Sequence, residues 1–291
     1  MRHIIATTAF TLLLCFQIPV ANATTACGPT STEASHDSAN GTAANGEDGY
    51  CFYTPEQMNV KIYEFGLCTS ASSPTNKSSC EQMFQNTAGV DFNLSVGSVS
   101  DLLGDVTVTE GETYTHAYII ISNTTSISTT IEFSTDRRDD KGNLGKYCFT
   151  DGRSVNDVPE PPSIMQCSDN PNDPLKRAAP ETIVFGDPTV PAYDNKVLNY
   201  TVSMGGTNIV SDLYMVDDTF QMSTSFADDH AIYGSQRLAE PITIDTTATA
   251  FDIGFSITDG VTVGFDDIGT PALTAPMDVV FEGLRFNISV N

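Results

Sequence analysis

The chain has 291 residues, with 37 acidic side chains against 13 basic ones and a formal net charge of −24. Such a chain repels phosphate backbones and anionic bilayer surfaces, which excludes nucleic acid as a partner. Only 17% of the residues are charged, and β-branched and aromatic side chains dominate the apolar set, so long helices are not expected.

Residues 1–23 have the layout of a secretory signal peptide: Arg2, then an apolar run over 10–16, then Ala21-Asn22-Ala23 as a small-x-small cleavage site. The apolar run is too short to span a bilayer. No transmembrane segment is expected once it is removed. Cleavage after Ala23 leaves 268 residues (291 − 23) and a charge of −25 (37 acidic against 12 basic). That length suits one large domain or two small ones. Six cysteines remain: Cys27, Cys51, Cys68, Cys80, Cys148 and Cys167. An even number in an exported chain points to disulfides and to a secreted or cell-surface protein.

Residues 24–56 form a low-complexity N-terminal segment that reads as a tether. Between Gly28 and Gly49 there is no large apolar side chain to offset the entropy of ordering. Residues 57–155 alternate with period 2, the strand signature. Val60 and Ile62 flank Lys61. Val90, Phe92 and Leu94 alternate with Asp91 and Asn93, and Ile127, Thr129, Ile131 and Phe133 alternate again. Ile119-Ile120-Ile121 is apolar on both faces, which predicts a central strand. Gly111-Glu112-Thr113-Tyr114, leading into that strand, resembles a glycine-to-tyrosine strand entry of transthyretin-like extracellular sandwiches; no function is carried over. Only 55–58 and 81–86 offer even a turn of helix.

Residues 156–195 break the pattern. Pro159, Pro161, Pro162, Pro171, Pro174, Pro180, Pro188 and Pro191 read as a crossing loop or linker. Alternation resumes over 196–291, with runs at 197–202, 209–216, 220–225, 242–246, 251–257, 261–265 and 279–290. The expected fold is therefore all-β, an antiparallel β-sandwich in two sandwich-like halves with disulfide-stapled loops. One large jelly-roll-like domain is the alternative.

The spans 27–51, 68–80 and 148–167 are each loop-like. A bridge at the base of each predicts Cys27–Cys51, Cys68–Cys80 and Cys148–Cys167, worth roughly 3 kcal/mol apiece on the loop-closure model. Catalytic signatures are missing: there is no Gly-x-Ser-x-Gly elbow and no His-Glu-x-x-His pair. Adjacent acids such as Asp228-Asp229 point to opposite faces of a strand and make a poor glycosidase pair. The chain is read as no enzyme. Among cofactors only calcium has a candidate site, at Asp136, Asp139, Asp140 and Asn143, hard oxygen donors in one glycine-containing loop.

These features predict a non-enzymatic structural or adhesin-like protein of the cell surface or medium, capable of self-association. The assembly strand would be 279–290, where Leu284, Phe286, Ile288 and Val290 share one face, or 90–96. The alternative is an extracellular module that binds carbohydrate or another ligand with help from calcium.

Overall fold

The computed structural model describes residues 26–31, 50–96, 109, 111–139, 141–152, 154–156, 165–174, 181–184, 198–204, 207–244, 251–266, 275–281 and 284–290. The expected signal peptide, most of the tether and most of the proline-rich crossing lie outside them. The described chain is almost all β in antiparallel sheets, with three disulfides. A 3-10 turn lies at Phe226–Asp228.

The largest sheet is built on β2 (Gln57–Cys68). On one side β2 pairs with β3 (Cys80–Ser95), from Gln57↔Ser95 to Cys68↔Cys80. The segment 81–86, a possible helical turn by composition, is thus strand, because the ladder to β2 and the Cys68–Cys80 bond hold it extended. On its other side β2 pairs with β4 (Thr113–Ser122) and, beyond a break at Asn123, with β5 (Thr124–Ser128).

The sheet forks at that break. β4 continues to β13 (Ala231–Thr243), β12 (Thr207–Val216) and β11 (Leu198–Met204). β5 continues to β10 (Glu181–Val184), which takes β8 (Ser154–Asn156) in parallel. Strands from both sides of the proline-rich segment therefore enter one sheet.

Three smaller sheets accompany it. One orders β1 (Cys51–Tyr53), β15 (Val261–Asp266) and β16 (Ala275–Phe281). The second orders β6 (Thr130–Arg138), β7 (Leu144–Thr150) and β9 (Met165–Ser168). The third pairs β14 (Phe251–Ser256) with β17 (Arg285–Val290). Together they bury one continuous core against the large sheet: Met58, Ile62, Phe65, Ile119 and Ile121 meet Ile131, Phe133, Phe255, Val261 and Val263. Edge-on ring contacts of Phe255 with Phe65 (6.4 Å) and Phe92 (6.3 Å), and of Phe133 with Phe265 (6.2 Å), tie the layers.

Both ends of the expected tether join this core. Cys51 and Phe52 are buried, and Cys27 N–H donates to the Phe52 carbonyl at 2.8 Å. The buried Arg137 guanidinium holds the Ser31 carbonyl at 2.6 Å and lies over the Phe133 ring at 4.6 Å. The run 220–225 is a turn rather than a strand. Asp217 organises it by accepting N–H bonds from Thr219 (2.9 Å) and Gln221 (3.0 Å), and Phe220 takes a positive φ of 60°.

Candidate functional site

The opposite face of the large sheet carries a second cluster, formed by Tyr63, Tyr118, Ile120, Val216, Phe220, Ala231 and Tyr233. β4 serves both cores, since Ala117, Ile119 and Ile121 face the first and Tyr118 and Ile120 the second. This is the central strand expected from an apolar run without alternation.

A register shift between Ile62 and Glu64 breaks the alternation of β2. Tyr63 packs on Phe220 at 5.3 Å, while Glu64 bonds to Tyr118, so two consecutive side chains serve the second cluster. Re-aiming a side chain in this way is what a β-bulge does. Gly66 makes room beside them, because a Cβ there would overlap the Tyr118 ring and the Glu81 carbonyl.

Glu64 is 3% exposed. Its Oε1 accepts from the Tyr118 hydroxyl at 2.6 Å and from Lys77 Nζ at 2.9 Å. The ammonium also lies 5.5 Å from the centre of the Tyr118 ring. Tyr118 stacks on Tyr233 at 5.4 Å with an interplanar angle of 8°. The Tyr233 hydroxyl donates to Ser72 Oγ at 2.7 Å, and Ser72 Oγ lies 3.2 Å from Ser235 Oγ. Burial, reinforced for Tyr118 by its bond to Glu64, raises both phenol pKa values. Both phenols therefore stay protonated donors at neutral pH and supply no base or nucleophile. What the cluster can do is hold a cation: a carboxylate shielded from water, pre-oriented by a hydroxyl, beside an aromatic face.

The loop between β2 and β3 roofs this site. Cys68 and Cys80 are register partners, and their disulfide closes the loop from which Ser72 and Lys77 reach down. The other two bonds join Cys27 to Cys51 and Cys148 to Cys167, the latter also facing each other across β7 and β9. Composition alone did not single out Glu64. Its one signal is a lone acid between Tyr63 and Phe65 in an apolar strand.

Of the calcium candidates, Asp136 and Asn143 are exposed, Asp139 is buried and Asp140 lies outside the described residues. Asp139 Oδ1 accepts the N–H of Lys141 (3.0 Å) and Asn143 (2.8 Å); Oδ2 accepts Asn143 Nδ2 (2.8 Å) and Cys167 N–H (3.2 Å). Four N–H donors thus fill the carboxylate of the β6–β7 turn and tie it to β9. Among the described residues no group of three or more His, Cys, Asp or Glu is placed to hold a metal.

Leu284 is buried in the first core, and β17, with Phe286, Ile288 and Val290, pairs with β14 from Phe251↔Val290 to Ser256↔Arg285. His116 and His230 lie apart in role. His116 Nδ1 bonds Thr115 Oγ1 at 2.8 Å, and burial together with the nearby Arg237 lowers its pKa. His230 packs as a ring on Tyr63 at 5.3 Å. His36 lies outside the described residues.

Among the described residues no helix is long and apolar enough to cross a membrane. Comparison with family models, with curated proteins and with solved structures finds no match to this chain.

Proposed function

We propose that the chain is a secreted or cell-surface structural protein, adhesin-like and non-enzymatic, that associates with copies of itself by strand addition. The observation that carries this reading is β3. It is sixteen residues long, pairs with β2 along its length and, among the described residues, pairs with no strand on its other side. Its mid-strand side chains at Gln85 to Ala88 and at Asp91, Asn93 and Ser95 are exposed. Such an edge offers a row of backbone donors and acceptors to a second chain. Three disulfides support an oxidising, extracytoplasmic setting.

The test is the size and shape of the oxidised protein by light scattering and negative-stain microscopy. Ordered polymers that Asn93→Lys shortens are expected, because a charge on the edge opposes pairing. A monomer at every concentration would overturn the reading.

A further inference from the structure

We propose that Glu64, Tyr118 and Tyr233 form a binding site for a primary alkylammonium group, whose resident occupant is the chain's own Lys77. The inference is independent of self-association.

Three features match that chemistry. The Glu64 carboxylate is buried, and its Oε1 accepts both the Tyr118 hydroxyl at 2.6 Å and the ammonium that the roof presents at 2.9 Å. The Tyr118 face lies 5.5 Å from the ammonium, within range of a cation–π contact. The Tyr118–Tyr233 stack is held in place by the bond of Tyr233 to Ser72 of the same roof. Lys77 Nζ sits at 2.9 Å from Glu64 as an external amine would.

The roof is built to be held from outside. Residues 69–79 read Thr-Ser-Ala-Ser-Ser-Pro-Thr-Asn-Lys-Ser-Ser, with no large apolar side chain. Its anchors are the Cys68–Cys80 bond, the Ser72 contacts and Lys77 itself. Closed by a bond, the loop presents Lys77 at a high effective concentration and excludes competitors. Withdrawing Lys77 leaves a carboxylate site that an external ammonium can refill.

The test is chemical rescue in the full mature chain. Melting is followed by tyrosine fluorescence for wild type, K77A and the E64Q/K77A double variant. Each is measured with butylammonium chloride, with tetramethylammonium chloride and with sodium chloride at equal ionic strength. K77A should melt lower than wild type, and butylammonium should raise it by several degrees through ligand linkage. Tetramethylammonium, which cannot donate a hydrogen bond, should raise it less. Wild type and the double variant should not respond. No butylammonium shift in K77A, or the same shift in all three proteins, would overturn the proposal. Should K77A fail to fold, K77S carries the same comparison. Nα-acetyllysine amide serves as a further arm and should rescue K77A as butylammonium does, because it carries the side chain that the site holds; no rescue by it would overturn the assignment of the site to a lysine-type ammonium.

Discussion

The Tyr118 hydroxyl and the Glu64 carboxylate meet at 2.6 Å across the β2–β4 ladder, on a sheet face where both are almost fully buried. A buried carboxylate costs stability unless its lone pairs are filled. Tyr118→Phe removes one of the two donors at Oε1 while keeping the ring stacked on Tyr233. It should destabilise the fold by about 1–3 kcal/mol, the usual range for stranding a buried polar group. Urea unfolding of the two proteins checks this. An unchanged midpoint would mean that Lys77 alone satisfies Glu64.

Gly145 on β7 lies so close to β9 that an added Cβ would overlap the backbone of Ser168. Backbone cannot swing aside as a side chain can. Gly145→Ala should therefore push the β7–β9 pair apart, next to the Cys148–Cys167 bond, at a cost of about 1–3 kcal/mol. Gly142, at a positive φ of 84° with open space around it, gives the contrast. Alanine there meets strain from φ alone, of about 1 kcal/mol. Thermal melts of the two variants should rank Gly145→Ala as the worse.

Much of this fold was legible in the residues, for identifiable reasons. Ile119-Ile120-Ile121 lacks alternation because both faces of β4 are buried, which is also why it could be read as central. The polar, proline-bearing spans between neighbouring cysteines cannot hold themselves closed, and the disulfides lie at their bases. Of β13 only the end, within the run at 242–246, shows in the pattern. Its first six residues, Ala231 to Gln236, are buried in sequence and show no period of 2. The segment 81–86 has helical composition, yet strand pairing to β2 overrides local propensity. Glu64 was hidden because its role depends on a bulge, and a register shift leaves no mark in composition. Lys77 sits in a polar loop, where a lysine is ordinary.

Asp139 looked like one of four oxygen donors in a loop. Its geometry makes it the organiser of a turn, with both oxygens taken by N–H groups of Lys141, Asn143 and Cys167. Asp139→Asn replaces one acceptor oxygen by an NH2 that faces donors. A loss of about 1–3 kcal/mol is expected from the buried bonds forfeited. Because a cation would have to displace those donors, millimolar calcium should leave the wild-type melting temperature unchanged. A calcium-dependent rise that Asp139→Asn abolishes would restore the loop as a metal site.

Acid should weaken the fold in two stages. Burial and repulsion from Arg237 lower the His116 pKa from its usual 6.5, although Asp212 opposes the shift. The folded state therefore prefers the neutral ring. That contribution is complete above pH 6.5 and fades as pH falls through the folded value, because the unfolded chain takes up its proton first. Glu81 follows at lower pH. Burial raises its pKa, but bonds from the Thr109 hydroxyl and N–H and from the Tyr114 hydroxyl outweigh that and bring it below 4.5. Its contribution is present above pH 4.5 and is lost as pH drops through the lowered value. Asp217, held low by Thr219 and Gln221 against its own desolvation, adds to the same acid limb from 3.8 downward. Melting temperature measured from pH 8 to pH 3 should be flat above 6.5, decline gently below it and fall steeply below 4.5. His116→Asn should remove the gentle decline alone, and Glu81→Gln should soften the steep one. A profile in which His116→Asn leaves the upper decline intact would overturn the assignment of that decline to His116.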